Sequence, residues 1–392
     1  MKISTMLKLF PLLTFLALLE YSLALKCMDE DGNSVDWFIV YKLPKYSADS
    51  GKLYDGTAYL YLDAKNQQYQ ISPNDVNSTK SAFYRTLIPI YENYKNGSSD
   101  GVMARGFYND QWPNGGYSTS RGHSKGAWAF DSQDGFFLTQ SVPKFPNFLE
   151  GGFSYPSSGT YYGQDMMCVS LGVDQFDKLG VHFSFTNPWN YNVSIPDQFV
   201  DMVPSLYAST VNETHVTDEP FTATETITSL GGVVFTLFSK YKNADLDMVS
   251  EQMAPGLKSD LFSQSWQNSG TNLPSDCDDK YCTYTVEKMY FSQFNVSFST
   301  HDDHSKWAMG APGGGEFKYP SKWVCLGDMN RQESQEGRSG GYTCFEQAAV
   351  NQQYTQMTTD LLDCSDDKSA AVQKEQESFN EKELNMKKVR FN

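Results

Sequence analysis

Histidine is scarce in this chain, with five in 392 residues. Any chemistry that needs an imidazole must therefore come from His123, His182, His215, His301 or His304. No two cysteines form a Cys-x-x-Cys pair with zinc spacing, which excludes zinc fingers and ribbons. No run after residue 24 is apolar enough to cross a bilayer, which takes ~20 residues. Basic charge is also lacking: the formal net charge is −16. At neutral pH such a field repels polyanions and anionic membranes. That exclusion depends on pH. Near pH 4.5 about half the carboxylates would be protonated and the histidines charged, giving a net charge on the order of +10.

What is present is ordinary globular material: 40% hydrophobic, 15% aromatic and 20% charged residues. The first 24 residues stand apart. Lys2 and Lys8 flank an apolar run ending near Leu19, and Ser22 and Ala24 precede a plausible cleavage point. This is the pattern of a secretory signal peptide and predicts an exported chain with no membrane anchor after processing. In that setting the seven cysteines, Cys27, Cys168, Cys277, Cys282, Cys325, Cys344 and Cys364, read as disulfides with one left over. Five Asn-x-Ser/Thr sequons, at Asn77, Asn96, Asn192, Asn212 and Asn295, predict glycosylated surface positions.

Strand-like segments rich in β-branched and aromatic residues include 34–44, 57–64, 68–72, 101–110 and 124–142. The stretch 78–95 has helical apolar spacing, with Ser78 as a cap and Pro89 as a kink or stop. Further strands are expected at 224–240, 281–291 and 295–309. The stretch 245–266 is expected to be helical on both sides of Pro255. Strands mixed with helices on this scale predict an α/β chain. Beyond Cys364 the sequence turns charged and poor in large apolar residues, predicting a mobile tail or an exposed helix outside the core over 365–392.

One short pattern occurs twice, as "GHSKGAWAFD" at 122–131 and "DHSKWAMG" at 303–310. His123 and His304 are 181 residues apart, about half the chain. Asn147 follows His123 by 24 residues and Asn330 follows His304 by 26. The repeat predicts two related halves, 25–200 and 201–364, each giving His, Lys and an Asn to one shared site. In a strand, His and the Lys two residues on share a face. A lysine can hold phosphoryl oxygens, and a histidine can attack phosphorus or protonate a leaving oxygen. Two facing units supply both roles. His182, in an apolar stretch read as a strand, is expected to be a satisfied core or half-buried residue. His215 is expected to be exposed. His301, Asp302 and Asp303 are expected to be incidental, because i and i+3 in a strand face opposite ways and one ion would not see both His301 and His304.

With these motifs, the chain resembles the deoxyribonuclease II family. The likeness runs through "CMDEDGNSVDWFIVYKLPK", "RGHSKGAWAFD", "SVPKFP", "YGQDMMCVSL", "DHSKWAM" and "VCLGDMNRQESQEGRSGG". The resemblance implies a phospholipase D-like pseudo-dimer of two α/β halves, each supplying one HxK motif. It implies cleavage of double-stranded DNA at acid pH without metal or other cofactor, leaving 3′-phosphate and 5′-hydroxyl ends, in lysosomes or outside the cell. The catalytic residues it implies are His123, Lys125, His304 and Lys306, with Asn147 and Asn330 as phosphate or supporting contacts. The disulfides it implies are Cys27–Cys168, Cys325–Cys344, and Cys364 with Cys277 or Cys282. The wider superfamily places an aspartate at a fixed distance after HxK. Asp131 is one residue off that spacing and the second motif has no equivalent, which favours a nuclease over a lipid-cleaving relative. A phosphodiesterase on another substrate and an inactive secreted DNA-binding protein are the competing readings.

Overall fold

The computed structural model describes residues 25–45, 52–97, 101–315 and 317–364. The expected signal peptide and charged tail lie outside these residues. The chain is mixed α/β, built on two large sheets. The first contains β1 (Trp37–Lys42), β2 (Ala58–Asp63), β3 (Gln70–Asp75), β4 (Ala104–Asn109), β5 (Lys125–Phe130), β6 (Asp134–Gln140), β7 (Gln164–Gly172) and β8 (Asn190–Ser194), in spatial order β3-β2-β1-β7-β6-β5-β4-β8. The second contains β9 (Thr222–Thr228), β10 (Val234–Lys240), β11 (Leu261–Gln264), β12 (Thr283–Phe291), β13 (Val296–Ser299), β14 (Trp307–Gly310), β15 (Trp323–Gly327) and β16 (Gly340–Glu346), in order β13-β12-β11-β14-β15-β16-β10-β9. A last strand, β17 (Thr358–Leu361), pairs with β12.

The halves repeat one plan. Strands β7-β6-β5-β4 match β16-β15-β14-β11 in order, and every pairing within both sets is antiparallel. Each HxK motif leads into the matching strand, β5 or β14. Even the lysine clamps correspond. Lys42, ending β1, donates to the Thr160 (3.0 Å) and Tyr162 carbonyls just before β7. Lys240, ending β10, donates to the Gln335 (3.2 Å) and Glu336 carbonyls before β16.

Period-two alternation in β1 explains how the sheets meet. Trp37, Ile39 and Tyr41 enter the large core that also holds Phe291, Trp307 and Phe345 of the second half. Trp37 lies edge-on to Phe345 at 5.1 Å, and Tyr41 to Phe291 at 5.3 Å. Phe38 and Val40 point the other way, into a second core under helix α1 (Ala82–Lys95). With both faces covered, all six residues of β1 are buried.

Several local expectations change. Ser81, not Ser78, caps α1, accepting from the Tyr84 amide at 3.3 Å, and the helix runs through Pro89 to Lys95. Residues 261–264 form β11 rather than helix, because the segment slots between β12 and β14. His182 lies not in a strand but in helix α2 (Phe176–Thr186). It is buried, and its Nδ1 has no hydrogen-bond partner. His215 is half-buried, stacked on Tyr241 at 5.2 Å. The stretch 295–309 is not one strand: a 3-10 turn over Thr300–Asp302 separates β13 from β14. Asn77, Asn96, Asn212 and Asn295 are exposed. Asn192 is half-buried, its side-chain oxygen accepting from the Leu149 amide at 3.2 Å.

Candidate active site

Both HxK motifs come to the seam between the sheets. His123 is held by the second half: its amide donates to Ser339 O (2.9 Å), and its Nδ1 lies 2.6 Å from Asp328 O. His304 is held by the first half in the mirrored way. Its amide donates to Gly163 O (2.9 Å), and its Nδ1 lies 3.0 Å from Ser141 O. The four partners are themselves equivalent, since Ser141 and Asp328 follow β6 and β15, and Gly163 and Ser339 precede β7 and β16. A carbonyl oxygen can only accept, so each Nδ1 carries the proton and each neutral ring keeps its lone pair on Nε2. The two rings stand 6.5 Å apart at 71°.

Both histidines are 7% exposed, and both are held well below the usual imidazole range. Burial is the main cause. For His123 the cations Lys125, Arg338 and Lys306 add to it; for His304 Lys306 and Lys125 do. Each lysine folds back on its own motif. Lys125 Nζ donates to His123 O at 2.8 Å, and Lys306 Nζ donates to His304 O. Burial, then Lys125, pushes Lys306 down to about 7.

Carboxylates surround this cationic centre unevenly. Asp110, fully buried, meets Lys125 Nζ at 2.6 Å and Arg338 at 2.8 Å, and stands 3.8 Å from His123 Nε2. On the other side Asp165 accepts from the Lys306 amide at 3.2 Å and is raised to about 8, chiefly by burial. Asp303, expected to be incidental, has a structural role. It is fully buried and accepts from Tyr41, Ser305 Oγ (2.7 Å) and Gln264 (2.6 Å), so it anchors the chain just before His304. Trp266 packs edge-on against the His304 ring at 4.9 Å.

The asparagines are placed differently from the histidines and lysines. Asn147 donates its amide to Gly152 O at 2.9 Å, in a loop near α1. Asn330 is buried two residues beyond Asp328, its Oδ1 unpartnered. Because Ser141 and Asp328 correspond, the counterpart of Asn330 is Pro143 rather than Asn147. His301 sits in the 3-10 turn, half-exposed, its carbonyl accepting from Trp266 Nε1 at 3.2 Å. Asp110, Arg338 and Asp165 were not picked out by sequence, and the carbonyls that fix the rings carry no side-chain signature at all.

Two disulfides, Cys27–Cys168 and Cys325–Cys344, are formed as the resemblance implied. Cys277 stands between Cys282 and Cys364, the three sulfurs lying within 4.8 Å of one another. No helix among the described residues is long and apolar enough to cross a membrane.

Fold and site together define a two-half α/β protein with a symmetric pair of His-Lys units at its seam. A family model described as Deoxyribonuclease II matches residues 26–364. Over 345 residues the chain is 35% identical to plancitoxin-1 of Acanthaster planci, covering 87% of this chain and 93% of that protein. It is 34% identical to deoxyribonuclease-2-alpha of Mus musculus over 346 residues (87% and 94%). It is 32% identical to cell death-related nuclease 6 of Caenorhabditis elegans over 349 residues (87% and 90%). The chain belongs to the deoxyribonuclease II family of nucleases.

Proposed function

We propose that this protein is an acid endonuclease that hydrolyses double-stranded DNA in two steps through a phosphohistidine. The observation that carries the reading is the pair of rings, each locked by a carbonyl of the opposite half with Nε2 left available. His123 Nε2 attacks phosphorus in line, and protonated His304 gives its proton to the departing O5′. Water, deprotonated by His304, then releases the 3′-phosphate and restores His123. Lys125 and Lys306 bind the non-bridging oxygens, where negative charge gathers in the transition state.

The electrostatics favour acid conditions. Because burial and the lysines depress both histidines, the imidazolium needed for leaving-group protonation forms only below the usual histidine range. The pair titrates as a unit, so the activity profile is a bell belonging to both rings. Acid pH also removes much of the repulsion between DNA and the acidic surface. The signal-peptide pattern and the disulfides support a secreted or lysosomal location. The name of the nematode relative supports a role in clearing DNA from dying or engulfed cells.

The test is plasmid nicking at pH 5 and 7, with and without EDTA, for wild type, His123→Ala and His304→Ala, with RNA and phospholipid as alternative substrates. The reading expects EDTA-resistant nicking at pH 5 that leaves 3′-phosphate ends and is lost in both variants. Near-wild-type nicking by either variant would refute the shared site. EDTA-sensitive cleavage would point to a metal enzyme, and preference for another substrate to a different phosphodiesterase.

A further inference from the structure

The two-fold plan breaks at the residue that follows β4. β4 ends at Asn109 and is followed by Asp110, whereas β11 ends at Gln264 and is followed by Ser265 and Trp266. Asp110 is fully buried between cations of both halves, with Lys125 Nζ at 2.6 Å on one oxygen and Arg338 at 2.8 Å on the other. Its second oxygen is also 3.8 Å from the nitrogen of His123 that is free to react. Arg338 is held in turn by the Arg121 (3.3 Å) and Ser118 (2.9 Å) carbonyls. Among the described residues Lys306 makes no ion pair with a carboxylate, so only one of the two motifs has this arrangement.

Building on the two-histidine reading above, we propose that Asp110, clamped across the seam by Arg338, is a positioning residue that fixes the Lys125 ammonium and faces the attacking nitrogen of His123. The carboxylate orients Lys125 for a non-bridging oxygen. It also stabilises the positive charge that grows on the His123 ring as its lone pair is donated to phosphorus. That asymmetry is what makes His123, rather than His304, the nucleophile.

The charged and titratable groups acting on this cluster are Lys125, Arg338, His123, His304, Lys306 and Asp328. Removing the carboxylate withdraws stabilisation from the Lys125 and His123 cations, so both lose their protons at lower pH. Removing Arg338 withdraws repulsion from the same two cations, so both titrate at higher pH. Asp110→Asn is therefore expected to lower kcat on the order of 10²-fold with little change in KM, and to move the activity profile down by about 1 pH unit. Arg338→Gln is expected to move the profile up. Thermal unfolding accompanies each profile, and His123→Ala and His304→Ala serve as controls. If the controls retain activity, the two-histidine reading itself fails. If the controls are dead but Arg338→Gln shifts the profile downward or not at all, the role given to Asp110 is overturned. A uniform loss in Asp110→Asn with an unmoved profile overturns it too. Should Asp110→Asn not fold, Asp110→Glu, which keeps the charge but displaces it, decides the matter: a lowered kcat with an unmoved profile supports the role, and wild-type kcat overturns it.

Discussion

Gly122 offers a sharp test of how tightly the fold holds His123. Its amide donates to Asn187 O at 2.8 Å, where the chain crosses the C-terminus of α2. A Cβ built on Gly122 would lie 1.8 Å from Thr186 O, whereas real side-chain carbons essentially never come within 3.0 Å, so the shortfall is about 1.2 Å. Thr186 O cannot swing aside. It is backbone, and the next residue, Asn187, caps the helix in the left-handed region (φ 46°) with its amide bonded to Phe183 O. The segment carrying His123 must therefore move by about an ångström. Misplacing a reacting group by that much costs on the order of 10²-fold in rate, and overpacking costs about 1–3 kcal/mol in stability. The assay is initial plasmid-nicking rate at pH 5 together with thermal unfolding. Gly313→Ala is the control, since nothing lies within 4 Å of its Cβ and its backbone is unstrained. If Gly122→Ala kept more than half of wild-type activity while Gly313→Ala behaved as wild type, the claim that this contact locates His123 would be wrong.

Two further outcomes follow from buried groups away from the seam. His182 is buried and lowered to about 3, purely by burial. Its folded pKa lies below its unfolded value of ~6.5, so the unfolded chain binds the extra proton between these limits and stability falls as pH drops through them. At pH 5 the penalty is about 2 kcal/mol, and His182→Gln should lose less stability than wild type between pH 7 and pH 5 by denaturant unfolding. Parallel losses in the two proteins would contradict the assignment. Cys325 and Cys344 face each other across β15 and β16, 19 residues apart in sequence. Replacing both with Ala should cost about 3 kcal/mol under non-reducing conditions, because the unfolded chain regains the loop entropy. An unchanged unfolding midpoint would show that the pairing adds nothing to stability.

The repeat of His-Ser-Lys was legible because it is rare and doubled: two of five histidines, each two residues before a lysine, each leading into apolar strand sequence. The same signal carried the two-half plan, while the α/β class came from strand-like segments mixed with helical ones. Short apolar segments were less readable. Residues 261–264 are too few to show period two or period 3.6, so their state was set by their neighbours β12 and β14. The stretch around His182 did carry helical spacing, at Phe176, Leu179, Gly180, Phe183 and Thr186, and reading it as a strand overlooked that period. The spacing echo between Asn147 and Asn330 misled because loop lengths differ between the halves. The residues that correspond are Ser141 and Asp328, which share no side-chain chemistry.

What the sequence determined by itself is an inventory: two HxK units, cysteines enough for disulfides, an acidic surface, and alternating segments that must pair into sheets. Those properties are local, written in residue type and period. Tertiary structure decided which groups meet. It brought Asp328 O to His123 and Ser141 O to His304, which fixes the tautomers. It buried Asp110 between Lys125 and Arg338, 228 residues from the latter in sequence. Backbone carbonyls look alike in every sequence, and one aspartate among many becomes a counter-ion only where folding removes water and leaves it two cations. The chemistry of this site lies in that enclosure.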